Sequence, residues 1–230
     1  MEGLVFDMGD VLLDATLWRR WLLEQLRTLG LKSQYRSLFA IWDREYLDDV
    51  HRGRRRYSEA FTAFLAASGL TPSQVDEVVA ASDSCKRELE AETRPFPGVR
   101  QTLLRLHADG VRMAVLSDSE SPSAAIARRL ESLGIGAYFS AIVSSRDLGE
   151  TKPQRACYLR AAAELHLSSD RLAFVGHDAE ELLGARRAGM RTIAFNYERD
   201  TAADRYLNRF DELLQVVPAA SRRGLRNEAA

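Results

Sequence analysis

From residue 95 onward, segments with helical and strand-like patterns alternate along the chain. Four short apolar runs are typical of buried strands, and each follows a segment in which apolar residues recur at helical spacing. The predicted strands cover residues 111–116, 141–144, 172–175 and 192–195. A further apolar run over residues 4–6 adds a first strand. Because helices join consecutive parallel strands in right-handed crossovers, this alternation predicts an α/β fold with a parallel sheet covered on both faces.

Residues 14–94 differ from the rest because they contain no strand-like pattern. Apolar residues recur there at helical spacing in four segments, which predicts a small helical bundle inserted directly after the first strand. Ligands of open α/β sheets bind beyond the carboxyl ends of the strands, so an insert rooted there favours a lid over a site. The predicted organisation is listed by residue number: an α/β core of 1–13 and 95–230, a helical cap of 14–94, and a frayed tail of 218–230.

The net charge and composition of the chain argue against nucleic acid and membranes as binding partners. The 230 residues carry a formal net charge of −1, which gives no overall attraction to nucleic acid. No apolar run approaches the roughly 18 residues that a membrane span needs, and the N-terminus lacks the pattern of a signal peptide. With Cys85 and Cys157 as the only cysteines, we expect reduced thiols and a cytoplasmic protein without nucleic-acid or membrane partners. The oligomeric state is left open.

Polar residues follow the predicted strands at the points where the strands end. Asp7 follows the first strand, Ser117 and Asp118 follow the second, and residues 176–178 (GHD) follow the fourth. Lys152 precedes a predicted helix and is one of only three lysines among 32 basic residues, so a lysine there is an uncommon choice. Because the carboxyl ends of parallel strands meet at one edge, these groups should converge. A carboxylate, a hydroxyl, a cation and an acidic cluster together favour phosphoryl transfer.

Four segments resemble, in order, the four motifs of the haloacid dehalogenase superfamily. Residues 5–12 (VFDMGDVL) resemble the first motif, residues 115–118 (VLSD) the second, residues 149–153 (GETKP) the third and residues 174–178 (FVGHD) the fourth. The helical insert occupies the position of the family's C1 cap. The resemblance implies a Rossmann-like core with a C1 cap, and a hydrolase that acts on a small phosphorylated substrate.

The resemblance also implies a role for each matching residue. Asp7 would attack phosphorus and form an aspartyl-phosphate, which divides one difficult step into two. Ser117 would donate a hydrogen bond to a phosphoryl oxygen, with Asp118 beside it in the phosphate-binding segment. Lys152 would pair with the Asp7 carboxylate and with the transferring phosphoryl group.

The cofactor that the resemblance implies is Mg²⁺, held by Asp7, the backbone carbonyl of Gly9 and Asp178. Two positions depart from the family's pattern. Gly9 stands where the family's phosphatases have an aspartate that serves as general acid, and losing such an acid typically costs about 10²–10⁴ in rate. His177 stands where an acidic residue usually follows the fourth-motif strand, and we expect it to be a rim residue bonded to the backbone. We expect Asp10 to be a plain turn residue.

Three functions fit this set of residues. Our prediction is a Mg²⁺-dependent phosphatase that acts on a small phosphorylated metabolite. The second is a degenerate member of the family that binds a phosphorylated ligand or a protein partner without turnover, which the residues at Gly9 and His177 would suit. The third is a metal-free haloacid dehalogenase, disfavoured because the sequence lacks that branch's first-motif aromatic residue and its fourth-motif serine–asparagine pair.

Overall fold

The computed structural model describes residues 1–197 and 200–217, so the frayed tail expected over residues 218–230 lies outside the described residues. The strands are β1 (Gly3–Phe6), β2 (Arg112–Ser117), β3 (Ala141–Ser144), β4 (Leu172–Gly176), β5 (Arg191–Phe195) and β6 (Arg205–Leu207). They form one parallel sheet in the order β3-β2-β1-β4-β5-β6. The predicted α/β fold class is confirmed, and β6 is a strand that the sequence did not predict.

Strand β1 lies at the middle of the sheet. Its last residue, Phe6, is in register with Val115 of β2 on one side and Val175 of β4 on the other. The chain builds β2 and β3 on one side of β1 and then β4, β5 and β6 on the other, so the direction of strand order reverses beside β1. In open α/β sheets the ligand crevice lies at such a reversal, beyond the carboxyl ends of the strands. Asp7, the residue after β1, therefore stands at this crevice.

Residues 17–92 are largely helical. The helices are α1 (Leu17–Thr28), α2 (Tyr35–Ile41), α3 (Asp48–His51), α4 (Tyr57–Ala67) and α5 (Pro72–Glu92). A π-helical turn over Trp42–Leu47 joins α2 to α3. Apolar side chains of this segment, with Trp42 fully buried among them, form a hydrophobic cluster separate from those on the sheet. The bounds of a cap over residues 14–94 stay a prediction.

Helix α5 begins where its local sequence dictates. Pro72 occupies the first turn, where a backbone N–H would have no intrahelical partner. The Thr71 hydroxyl accepts from the Gln74 N–H, and the Gln74 side chain accepts from the Thr71 N–H in return. This reciprocal cap satisfies two groups that the start of a helix otherwise leaves unpaired.

Helices cover both faces of the sheet, as the apolar strands require. The remaining helices are α6 (Val99–Ala108), α7 (Ser123–Ser132), α8 (Ser145–Leu148), α9 (Arg155–Glu164), α10 (Ala179–Arg187) and α11 (Leu213–Val216). Buried residues of α6, α7 and α11 pack with Leu4 and Phe6 of β1, whereas buried residues of α9 and α10 pack with Val5. Alternate residues of β1 therefore enter opposite halves of the core.

Helix α10 approaches the site through a close contact at Gly184. A Cβ atom added there would lie 2.7 Å from the Pro153 carbonyl oxygen and 2.8 Å from the Tyr158 hydroxyl. The same hydroxyl donates a hydrogen bond to the Glu181 carbonyl oxygen at 2.7 Å. The absence of a side chain at Gly184 thus lets α10 pack against the residue that follows Lys152.

Replacing Gly184 by alanine should destabilise the chain by about 1–3 kcal/mol, the usual cost of overpacking a dense interior. Helix propensity alone would make the alanine variant more stable by about 1 kcal/mol. A loss of stability would therefore indicate the close approach of α10 to Pro153 and Tyr158. Urea unfolding measures the free energy. Leu183→Ala, at an exposed position of the same helix, is the control and should stay within about 0.5 kcal/mol of the wild type. A Gly184→Ala chain as stable as the wild type would contradict the close packing.

Candidate active site

Asp7 and Lys152 form a buried ion pair at the carboxyl end of β1. Lys152 Nζ donates to Asp7 Oδ1 at 2.6 Å and to Glu181 Oε2 at 3.0 Å. The side chains of Asp7 and Lys152 are almost wholly withdrawn from solvent. The Asp7 backbone N–H donates to the Val175 carbonyl oxygen at 2.9 Å, which fixes the residue between β1 and β4. The predicted pairing of these two charges is therefore present in the structure.

The segment before Lys152 is held by contacts with the sheet and with the helical residues above it. The Lys152 backbone N–H donates to Asp118 Oδ1 at 3.2 Å, which ties the segment to the end of β2. From the other side, the Thr151 hydroxyl donates to Asp48 Oδ1 at 2.9 Å. The ammonium group also lies 5.7 Å from the centre of the Phe174 ring in β4. Lys152 is thus placed by groups from several elements and not by its own loop alone.

The charges of this cluster shift one another's proton affinities. Burial raises the pKa of the Asp7 carboxyl, but the positive charges of Lys152 and His177 outweigh burial and lower the pKa to about 2. Burial lowers the pKa of Lys152, but the carboxylates of Asp7, Glu181 and Asp118 hold it well above its usual value. Burial, with repulsion from Asp7, raises the pKa of Glu181. At neutral pH Asp7 is therefore an anion paired with a cation, the state a nucleophilic carboxylate requires.

His177 lies against Asp7, contrary to the expectation that it would be a rim residue bonded to the backbone. Its Nδ1 is 3.3 Å from Asp7 Oδ2, and its Nε2 is 4.0 Å from Asp10 Oδ2. Burial would lower the pKa of His177, but contact with Asp7 and the charges of Glu181 and Asp10 raise it to about 9. At neutral pH the imidazole is therefore a cation, and Asp7 has a basic neighbour beside each of its carboxylate oxygens.

Asp10 has a structural part in the loop after β1. It adopts a left-handed backbone conformation with φ of 55°, its Oδ1 accepts from the Ala15 N–H at 3.0 Å, and its carbonyl oxygen accepts from Asn196 Nδ2 at 2.9 Å. These contacts agree with the turn role expected from the sequence. The approach of the second carboxylate oxygen to His177 was not expected.

Ser117 and Asp118 line the same cavity as Asp7 and Lys152. Its volume is about 620 Å³. Ser117 is the buried last residue of β2, and Asp118 follows it. Burial, opposed by Lys152, raises the pKa of the Asp118 carboxyl to about 6. The structure thus brings together four of the residues singled out in the sequence, while their roles in a reaction stay predictions.

Residues of the helical segment close the cavity on the side away from the sheet. Arg19, Asp48 and His51 line it there. Arg52 donates to Glu150 Oε2 at 2.6 Å and to Asp48 Oδ2 at 2.8 Å. The Ser145 hydroxyl donates to the His51 carbonyl oxygen at 2.9 Å. Arg19 and His51 could not be recognised as cavity residues from the sequence, since a single charged or imidazole residue on a helix is usually a surface residue.

Comparison with known proteins decides the family. A model of the haloacid dehalogenase-like hydrolases matches residues 1–189. The chain belongs to this family. It is 30% identical over 159 residues to a phosphoglycolate phosphatase from Pectobacterium atrosepticum, and 29% identical over 162 residues to one from Pseudomonas fluorescens strain Pf0-1. Each match covers 66% of the chain, and they span 67% and 58% of those two relatives.

Solved structures of the family share the fold over nearly the whole chain. A 2-haloacid dehalogenase from Pseudomonas syringae pv. tomato DC3000 is 25% identical with a TM-score of 0.61, covering 94% of this chain and 98% of that one. A protein from Haemophilus somnus 129pt, described as a predicted phosphoglycolate phosphatase, is 19% identical with a TM-score of 0.70, covering 94% and 97%. At 19% identity, the similarity to the Haemophilus somnus protein shows a shared fold only.

Within the described residues, no helix is both long and apolar enough to cross a membrane.

The family resemblance implies Mg²⁺, and the donor groups near Asp7 can be compared with what that ion requires. Mg²⁺ demands near-octahedral coordination by oxygen. Asp178, the expected motif IV ligand, caps α10: its Oδ1 accepts from the N–H groups of Glu180 and Glu181 at 2.8 and 3.0 Å. His177 takes the place beside Asp7. Across residues 1–197 and 200–217, no group of three His, Cys, Asp or Glu side chains is placed to hold a metal ion. The side chains present do not fit Mg²⁺.

Acidification should destabilise the chain through His51. Burial, with the positive charges of Lys152 and Arg19, lowers the pKa of His51 from 6.5 to about 4. Because the folded pKa lies below the unfolded one, this contribution to stability is present above about pH 6.5 and is lost as the pH falls through about 4. The full difference is on the order of 3 kcal/mol, at about 1.4 kcal/mol for each pKa unit.

Urea unfolding of wild type and His51→Asn at neutral pH and at about pH 4 measures this contribution. The variant should lose less stability on acidification than the wild type, since its side chain takes up no proton. His107→Asn, at an exposed position of α6, is the matched histidine control and should follow the wild type. Identical pH dependence of wild type and His51→Asn would show that His51 is not held neutral by its surroundings.

Proposed function

We propose that the chain is a phosphatase that hydrolyses the phosphate monoester of a small metabolite through an aspartyl-phosphate on Asp7. The observation that carries the proposal is the buried Asp7–Lys152 pair at the carboxyl end of β1, facing a cavity of about 620 Å³. The names of the relatives from Pectobacterium and Pseudomonas support a small phosphorylated substrate. The cytoplasmic location expected from the sequence stays part of this proposal.

The proposed first step forms a bond between a carboxylate oxygen of Asp7 and phosphorus. The bond from phosphorus to the alcohol oxygen breaks, and the electron pair leaves with that oxygen. Lys152 offsets the negative charge of nucleophile and phosphoryl group as they approach, and the Ser117 hydroxyl donates to a phosphoryl oxygen. Water then hydrolyses the aspartyl-phosphate, which releases inorganic phosphate and regenerates Asp7. Each of these steps uses side chains of the chain itself.

We further propose that residues 14–94 act as a C1 cap that encloses the substrate. Arg19 and His51 of this segment face the cavity that Asp7 and Ser117 line from the sheet side. A cap in this position would exclude water and present its own side chains to the part of the substrate remote from phosphorus. Selection of the metabolite would then depend on the helical segment, while the reaction depends on the sheet edge.

A phosphatase assay of wild type beside Asp7→Asn tests the proposed function. The wild type should release phosphate from at least some phosphate esters, and Asp7→Asn should release none above background, because an amide cannot replace the carboxylate as nucleophile. Lys152→Met, similar in length but without the charge, should also lose most activity.

A second candidate function is binding of a phosphorylated ligand without turnover. Gly9 favours it, because glycine has no acidic side chain to protonate the oxygen of the leaving group. Equal rates for wild type and Asp7→Asn across a broad panel of esters would support this second candidate. Rates clearly above the Asp7→Asn background would exclude it.

Gly9 predicts which phosphate esters are hydrolysed fastest. His177 touches the nucleophile, whereas the leaving oxygen departs in line on the opposite side of phosphorus, so His177 is not placed to protonate it. The acidity of the leaving group should therefore govern the first step. We expect kcat/KM to fall steeply as leaving-group pKa rises, with aryl phosphates hydrolysed well and simple alkyl phosphates poorly.

Gly9→Asp should flatten this dependence and raise the rate for alkyl phosphates most, by up to about 10²–10⁴. The φ angle of Gly9 lies outside the left-handed region, so a side chain is permitted, although its Cβ would lie 3.0 Å from that of Ala15. Gly9→Asn has the same shape without an acidic proton and is the matched control. If wild type already hydrolyses aryl and alkyl phosphates equally fast, another residue donates the proton, with Asp10 the first to test.

A further inference from the structure

Each oxygen of the Asp7 carboxylate has a basic side chain of the protein beside it. Lys152 Nζ is 2.6 Å from Oδ1, and His177 Nδ1 is 3.3 Å from Oδ2. The two bases come from different parts of the fold, Lys152 from the loop before α9 and His177 from the end of β4. The chain therefore places a nitrogen atom of its own side chains beside each oxygen of its proposed nucleophile.

The ring of His177 lies between two carboxylates from the same loop. Nδ1 faces Asp7, and Nε2 lies 4.0 Å from Asp10 Oδ2. Glu181 contributes a further acidic group from α10, and the other cation of the cluster, Lys152, is engaged with Asp7 and Glu181. One imidazole ring therefore lies within 4.0 Å of the carboxylates of both Asp7 and Asp10.

A divalent cation beside Asp7 would need several oxygen ligands, and within the described residues no group of three His, Cys, Asp or Glu side chains is placed to hold one. A protonated imidazole has no lone pair to offer a metal, and a neutral one is a poor ligand for Mg²⁺. Asp178, the acidic residue expected as a ligand, is the N-cap of α10, and its Oδ1 accepts from the N–H groups of Glu180 and Glu181. The position next to Asp7 is thus occupied by an imidazole nitrogen, and the expected acidic ligand is part of the α10 cap.

We propose that His177 replaces the divalent cation, so that this centre binds and transfers a phosphoryl group without a metal. The ring places an imidazole nitrogen 3.3 Å from Asp7 Oδ2, while Lys152 binds Oδ1. Phosphoryl transfer at this centre rests on the proposed phosphatase function, whereas its lack of affinity for a divalent cation does not. Each of these two properties can therefore be disproved without the other.

Titration of wild type and His177→Asp with Mn²⁺, followed by electron paramagnetic resonance, and with Mg²⁺, followed by calorimetry, tests the metal affinity directly. Wild type should bind neither ion in the millimolar range. His177→Asp places a carboxylate beside Asp7 and should gain a site for both. His177→Asn, similar in size but neutral, is the matched control and should gain none. If His177 served only in folding, its replacement by aspartate would not create a binding site for Mn²⁺ or Mg²⁺. Circular dichroism checks that each variant is folded.

The kinetic arm compares phosphate release with excess EDTA and with millimolar Mg²⁺, using an aryl phosphate. Wild-type kcat/KM should agree within about twofold in the two conditions, and His177→Asn should lose on the order of 10²–10³, as expected when a charge-stabilising group is removed. Wild type that binds Mg²⁺ tightly, or that loses activity in EDTA and regains it with Mg²⁺, would overturn the proposal. If wild type hydrolyses no phosphate ester, the proposed function fails, and the metal titration alone still decides whether His177 excludes the cation.

Discussion

A carboxylate and an ammonium group withdrawn from water are costly unless each has a charged partner and its remaining hydrogen-bonding capacity is used. Asp7 and Lys152 meet this condition together at the edge of the sheet. Neither could be buried alone, so the strand that ends at Asp7 and the loop that carries Lys152 must meet in one geometry. The other contacts of the site, from Asp118, Glu181 and Thr151, hold these two elements in place.

This requirement also explains why the packing around α10 is so tight. Glu181 reaches Lys152 from that helix, and Tyr158 of α9 holds the Glu181 carbonyl oxygen. Gly184, one turn further along α10, allows the helix to approach the chain directly after Lys152. A bulkier residue there would displace the helix that brings the second carboxylate to the ammonium group. Electrostatic balance at the site and packing in the core are thus achieved by the same few residues.

Much of the fold could be predicted from the sequence, because buried parallel strands are short apolar runs and the helices between them keep their spacing. Strand β6 was missed because it is three residues long, with two of them exposed, and carries no apolar run. Asp7, Ser117 and Lys152 could be placed because each lies next to a recognisable element. The contact between His177 and Asp7 could not, since the direction of that side chain depends on how the chain turns after β4. Asp178 did carry a local signal: an aspartate three residues before Glu181 at a helix start is typical of a cap.

Hydrogen bonds join the helical segment to the stretch from α8 to Lys152: Asp48 with Thr151, Arg52 with Glu150, and the His51 carbonyl with Ser145. A displacement of α3 away from the sheet breaks the bonds that steady the segment before Lys152. If residues 14–94 act as the proposed cap, access to the cavity and the stability of the ion pair are thermodynamically linked, and such linkage is reciprocal. In such a cap, a ligand that binds the enclosed form more tightly stabilises the ion pair between Lys152 and Asp7. A more stable ion pair in turn raises the affinity for that ligand by the same factor.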